Sequence, residues 1–136
     1  KHKPARFSML SARAIPAEGG ETEFADMRAA YDALPDETKR QIEGLIAEHS
    51  IFHSRSRIGF TDFNPDVAQA LPPVQQVMVR THPGSGRKTL YLASHASHVI
   101  GWPIETGHKL IEDLLDFATQ PQFVYQHRWQ VGDLVM

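Results

Sequence analysis

Eight of the 136 residues are histidine, and several are spaced so that they might share a task. His49 and His53 lie four apart, a spacing that puts two imidazoles on one helix face where a metal ion can bridge them. The alternative is that a helix ends near His49 and that His53 stands in the loop beyond. His95 and His98 lie three apart in Ala93-Ser94-His95-Ala96-Ser97-His98, directly after an expected strand. Strand ends commonly carry functional loops, and this pair reads as a metal pair, as substrate contacts or as ordinary polar loop residues. No carboxylate stands one to four residues away to complete a His/carboxylate facial set. His108 and Glu112 are four apart on an expected helix, with Glu112 off its apolar stripe, the place of a solvated pair. His127 shares a strand face with Tyr125 and Trp129 and reads equally as a hydrogen-bonded structural histidine or a catalytic one. Gly84-Ser85-Gly86-Arg87-Lys88 has the glycines of a phosphate loop but neither its spacing nor its strand-to-helix context. No Gly-x-Ser-x-Gly elbow presents a nucleophile.

Composition narrows the field. There is no cysteine, which excludes disulfides, zinc-thiolate sites, iron-sulfur clusters and thiol nucleophiles. The formal net charge is −2, with 22% charged and 41% apolar residues. These values fit an ordinary globular domain and give no electrostatic reason to expect nucleic acid or an anionic membrane as partner. No apolar run approaches the roughly 20 residues that span a bilayer. A reducing compartment, the cytoplasm, is the expected location. Lys1 is not an initiator Met, and Leu134-Val135-Met136 is an apolar run without a polar tail. Both ends are therefore expected to be cuts, with residues 1–136 the central part of a single larger domain.

The elements that must position these residues follow from periodicity and punctuation. Arg6 to Ile15 reads as a strand closed by Pro16, followed by a turn at Gly19-Gly20. Met27, Ala30, Tyr31 and Leu34 mark one face of a helix, and Pro35 fits the first turn of a second. Ile42, Leu45, Ile46 and His49 continue that second helix's stripe. Residues Ser50 to Pro73 read as a long irregular loop of the kind that forms lids. Gln76 to Thr81 and Lys88 to Ala93 read as a hairpin around residues 82–87. Pro103 to Thr119, with Leu110, Ile111, Leu114, Leu115 and Ala118, reads as an amphipathic helix. Phe123 to Trp129 and Leu134 to Met136 read as strands around a turn at Val131-Gly132-Asp133. This order favours a mostly antiparallel sheet with appended helices.

Three phrases carry more than pattern. Gly19 to Pro35 (GGETEFADMRAAYDALP) resembles the segment after the iron-binding motif of the TauD/TfdA family, the taurine and aryloxyacetate dioxygenases. Arg80 to Lys88 (RTHPGSGRK) resembles that family's central hairpin, and Ala118 to Met136 resembles the approach to its last metal ligand. The match is collinear over essentially the whole chain and is nearer the aryloxyacetate, herbicide-degrading branch. The resemblance implies a fold that is α+β to mainly β, a double-stranded β-helix (jelly roll, cupin-like) with appended helices, incomplete in this chain. It implies Fe(II), held by a His-x-Asp pair and a distant His, with 2-oxoglutarate as co-substrate and O2 as oxidant.

Carried over by position, the resemblance puts the His-x-Asp pair just before Lys1 and the distal His just after Met136, so that this chain holds no metal ligand. His2 is not one, because Pro4 stands where the carboxylate should. Thr22 matches the threonine whose hydroxyl binds the distal carboxylate of 2-oxoglutarate; a helix cap is its alternative role. Ser54 and Arg55, with His95 and His98, match segments that face the substrate, although Arg55 reads equally as a solvated residue. The expected activity is hydroxylation of an aryloxyalkanoate such as a phenoxyacetate herbicide, giving a phenol, glyoxylate, succinate and CO2. The alternatives are an alkyl sulfonate (taurine) or alkyl sulfate dioxygenase and, in another class, a non-catalytic jelly-roll fragment. The expected partners are a small anionic substrate, 2-oxoglutarate and O2, and a homo-oligomer is expected from the family.

Overall fold

The computed structural model describes residue 5 and residues 7–136. Among these, nine short strands form four small antiparallel sheets, and five α-helices accompany them. Strand β1 (Leu10–Ser11) pairs with β9 (Leu134–Val135), and β2 (Thr22–Ala25) with β8 (Val124–His127). First and last strands are thus nested pairwise, as in a jelly roll, and everything between is carried on the β2/β8 pair. Of the strand expected over Arg6 to Ile15, Arg6 lies outside the described residues and Leu10–Ser11 forms strand β1.

Helix α1 (Met27–Ala33) starts where it does because the Asp26 carboxylate accepts from the backbone N–H of Arg28 at 3.0 Å and of Ala29 at 3.2 Å, a cap that satisfies two otherwise unpaired donors. Those two bonds, with the Arg28 guanidinium, hold the Asp26 carboxyl below its ordinary range even though burial acts the other way as the largest single influence. Helix α2 (Asp36–Ile42) follows Pro35, with Asp36 and Glu37 on the positive end of its dipole.

Here the structure departs from the periodicity. The stripe Ile42, Leu45, Ile46, His49 does not continue one helix. Gly44 takes φ 74°, the left-handed conformation that ends helices at glycine, and Ile46–His49 is strand β3. The spacing fits a helix, but Ile46, on that stripe, is exposed while Ala47, off it, is fully buried.

Strand β3 is the centre of a three-stranded sheet, flanked by β4 (Val74–Val77) and β7 (Ala96–Val99). The strand expected over Gln76 to Thr81 is broken at fully buried Met78. Beyond it, β5 (Val79–Thr81) turns into a separate hairpin with β6 (Lys88–Leu90). Residues 96–99, expected as loop, form β7. The expected terminal hairpin is absent as well, since β8 and β9 belong to different sheets.

Helix α5 (Ile104–Ala118) lies on β7 and meets the core through Gly107, Ile111, Leu114 and Ala118. Gly107 is required by this contact: a Cβ there would stand 2.7 Å from the Val99 backbone nitrogen. Helix α1 packs on β6, and Ala30, Tyr31, Ile42, Met78, Leu90, Val99, Ile111 and Leu114 close into one core.

The long segment from Ser50 to Pro73 is more ordered than expected. It holds helix α3 (Ile51–Ser56), capped by Ser50, and helix α4 (Pro65–Ala70), capped by the Asn64 side chain on the Asp66 N–H at 2.8 Å. Between them Phe63 meets Phe52 edge-on at 4.5 Å and Phe60 at 5.4 Å.

Candidate functional site

The first candidate site is built by the β2/β8 pairing. Thr22 is directly opposite His127, so both side chains stand on one face. Trp129, two residues further, returns to that face, and its indole Nε1–H donates to the Thr22 hydroxyl oxygen at 2.9 Å. The indole is met edge-on by the His127 ring at 4.4 Å. His127 Nε2 lies 3.0 Å from Asp133 Oδ2. A carboxylate only accepts, so Nε2 carries a proton, and Nδ1 lies 3.3 Å from the Tyr125 hydroxyl. The Asp133 carboxyl is held below its ordinary range, first by the Gln130 backbone N–H at 2.9 Å and also by His127. Both His127 ring nitrogens thus have hydrogen-bond partners.

Thr22 and Trp129 border a cavity of about 260 Å³ with Leu10, Ile15, Pro16 and Gly20. Gly20 has φ 82°, and a Cβ there would fall 2.8 Å from Pro16 Cγ, so the turn that brings residues 10–16 over Thr22 needs glycine at this position. Thr22 does not cap the following helix; Asp26 does. The sequence reading missed Trp129. Its signal was the alternation Tyr125, His127, Trp129 continued past the end of β8, which becomes informative only once Thr22 is known to lie opposite His127.

A second candidate site lies between β3, the start of α3 and the end of α4. A cavity of about 540 Å³ is lined by Ile51, Leu71, Pro72 and Val74, with His49, Ser50 and His95 as its main polar members. This is the size and mixed lining of a small-molecule site. Ser54 Oγ donates to the Ile51 carbonyl at 2.9 Å. Its single proton thus spent, Ser54 accepts from His95 Nδ1 at 2.6 Å. The structure therefore joins Ser54 to His95, which lines this cavity although Ser54 itself does not. Arg55 places its guanidinium 5.7 Å from the Phe60 ring centre. His98 is in β7, opposite Glu48, with Nδ1 2.9 Å from Ser97 Oγ. Neither is among the lining residues.

His49 and His53 stand on different elements, the end of β3 and helix α3, so the one-helix spacing does not apply. The Nε2 atoms of both are buried without a hydrogen-bond partner among the described residues. Burial pushes the His49 imidazole below its ordinary value, and His95 and Arg80 add to this. Burial does the same to His53, with His108 and Arg57. The His108–Glu112 pair forms at 3.3 Å and also takes in Arg57, 3.0 Å from the same carboxylate oxygen. Among the described residues no three His, Asp or Glu side chains gather as a metal ion requires. These residues by themselves do not fit an iron centre.

The two depressed histidines carry a pH prediction. An unfolded chain takes up these protons near pH 6.5, and the folded chain resists them. Stability is therefore unaffected by these groups above about pH 6.5 and falls as pH drops below it. Asp26 and Asp133 act only near and below about pH 4, where free Asp titrates. Urea midpoints at pH 7.5 and 5.5 should show the loss, and His49→Asn should reduce it. Equal midpoints at both pH values would contradict it.

The family model described as taurine catabolism dioxygenase TauD, TfdA family matches residues 1–136. The chain belongs to the TauD/TfdA family. It is 54% identical over 132 residues to the alpha-ketoglutarate-dependent 2,4-dichlorophenoxyacetate dioxygenase of Burkholderia sp. (strain RASC), covering 97% of this chain and 44% of that protein. It is 56% identical to the protein of the same description from Cupriavidus pinatubonensis, covering 97% of this chain and 46% of the relative. Among TauD/TfdA structures it superposes on AAD-2 in complex with Mn(II) and N-oxalylglycine with a TM-score of 0.93 at 52% identity, over 98% of this chain and 53% of the other. A taurine dioxygenase from Burkholderia xenovorans superposes at TM-score 0.75 and 25% identity, over 93% of this chain and 40% of that one. These likenesses establish the jelly-roll class. The chain spans under half the length of the curated TauD/TfdA relatives named here.

Proposed function

We propose that the enzyme carrying this chain is an Fe(II)- and 2-oxoglutarate-dependent dioxygenase that hydroxylates an aryloxyalkanoate of the phenoxyacetate type. The observation that carries the reading is the collinear identity of 54–56% with two 2,4-dichlorophenoxyacetate dioxygenases across nearly the whole chain. One oxygen atom of O2 enters the C–H bond beside the ether oxygen. The other enters succinate as 2-oxoglutarate loses CO2. The hydroxylated carbon is a hemiacetal, which collapses to the phenol and glyoxylate.

Within this chain the roles divide between the two cavities. Thr22 supplies a hydroxyl donor to the distal carboxylate of 2-oxoglutarate. The larger cavity takes the aryl ring between Ile51, Leu71 and Val74, with His95, held by Ser54, and unpaired His49 at its wall for the polar end. Arg55 and His98 remain proposed substrate contacts in flanking positions. The iron ligands are placed in sequence before Lys1 and after Met136. Leu10 and Leu134 are exposed on the β1/β9 pair. We further propose a cytoplasmic homo-oligomer. No helix among the described residues is long and apolar enough to cross a membrane.

The test is product analysis of the complete enzyme with Fe(II), 2-oxoglutarate and a panel of small anions. Phenol and glyoxylate from a phenoxyacetate support the reading. Aldehyde released with sulfite or sulfate would replace it with alkyl sulfonate or sulfate oxidation. Absence of iron-dependent turnover across the panel would leave a non-catalytic module.

A further inference from the structure

We infer that Trp129 is a positioning residue for co-substrate binding: its indole N–H fixes the Thr22 hydroxyl so that the one hydroxyl proton is directed at a carboxylate. This rests on the proposed role of Thr22 and extends it to a second residue that borders the same cavity.

The argument begins with hydrogen-bond inventory. A threonine hydroxyl has one proton and two lone pairs, and an indole N–H can only donate. With Trp129 Nε1 at 2.9 Å, one Thr22 lone pair is occupied and the hydroxyl proton must turn away from the indole. The β-branched Thr22 side chain, held in strand β2, is already stiff about its first torsion, so the Trp129 contact fixes the remaining rotor. A donor aimed before binding loses less freedom when the carboxylate arrives.

Trp129 is itself braced. It lies just beyond β8, where the ladder no longer holds it. The His127 ring meets it edge-on at 4.4 Å. His127 is anchored 3.0 Å from Asp133, which accepts from the Gln130 N–H of the turn at 2.9 Å. The turn after β8 is thus coupled through three side chains to the hydroxyl on β2. These residues explain one another: Asp133 orients His127, His127 orients Trp129, and Trp129 orients Thr22.

The test is a double-mutant cycle on the complete enzyme loaded with Mn(II) in place of iron, with the dissociation constant of 2-oxoglutarate read by calorimetry. Trp129→Phe is expected to weaken binding by about two- to tenfold, the value of one ordinary hydrogen bond. In the Thr22→Ala background it is expected to add nothing, and the dissociation constant of the aryloxyalkanoate is expected to stay within about twofold, the size of an effect too small to mark a lost contact. Replacing Trp129 by 3-benzothienylalanine, which keeps the ring volume and lacks the N–H, must give the same result and guards against a packing defect. Unchanged 2-oxoglutarate affinity in both Trp129 variants, or effects that multiply with Thr22→Ala, would overturn the inference while leaving Thr22 in its role. No effect of Thr22→Ala itself would overturn the underlying reading instead.

Discussion

Replacing Thr22 by Ala raises the KM for 2-oxoglutarate by about ten- to a hundredfold, because a hydrogen bond to a charged group is worth about 1.5–3 kcal/mol. The KM for the aryloxyalkanoate should stay near that of the parent enzyme, since Thr22 borders only the smaller cavity. The replacement also deprives the Trp129 indole N–H of its acceptor at 2.9 Å, so some loss of stability accompanies the loss of affinity. Thr22→Ser separates the two effects, because it keeps both the donor and the acceptor and should restore most of the affinity. Steady-state kinetics with each substrate varied in turn checks the expectation. An unchanged 2-oxoglutarate KM in Thr22→Ala would reduce Thr22 to a strand residue that holds Trp129.

The second large effect is on the fold. Ile111 is 1% exposed, in the middle of α5 on the face that also presents Gly107, Leu114 and Ala118 to the core. Helix and sheet approach closely here, with Val99 backbone under Gly107, so the elements have little room to collapse around a deleted side chain. Ile111→Ala is expected to cost about 2–5 kcal/mol, the lost transfer energy plus the cavity left behind. Ile58, 81% exposed, is the control: Ile58→Ala should change stability by no more than about 0.5 kcal/mol. Urea unfolding of both variants measures the difference. Equal midpoints would mean that α5 is not a core element.

Helices α1 and α5 were legible in the sequence because each carries its own stripe and its own stop signal. The β5/β6 hairpin was legible for a similar reason, with Gly84 and Gly86 between two β-rich runs. What was not legible is pairing at a distance. Nothing local states that Val124–His127 pairs with Thr22–Ala25 rather than with its neighbour Leu134–Val135. Strand β3 was hidden because four residues after Gly44 fit a helical stripe as well as an alternating one. Strand β7 was hidden because Ala96, Ser97 and His98 carry little β-propensity and are held in place across the sheet, Ala96 by His49 and His98 by Glu48.

The site divides in the same way. Thr22 was found through its resemblance to a family motif, and Ser54 and His95 as candidates facing a substrate. That Ser54 and His95 touch, 41 residues apart, and that Trp129 meets Thr22 across 107 residues, are products of the fold. The Arg57–Glu112–His108 cluster likewise joins a pair visible in the sequence to a cation that was not.

The central claim, that this chain belongs to an enzyme that couples 2-oxoglutarate oxidation to aryloxyalkanoate hydroxylation, is tested most directly by stoichiometry. The complete enzyme is incubated with Fe(II), O2, 2-oxoglutarate and a phenoxyacetate, and succinate and phenol are quantified together. The account predicts that both form in equal amounts, that both stop when iron is chelated, and that Thr22→Ala lowers both in proportion at limiting 2-oxoglutarate. Succinate without phenol, or neither product under saturating conditions, would contradict it.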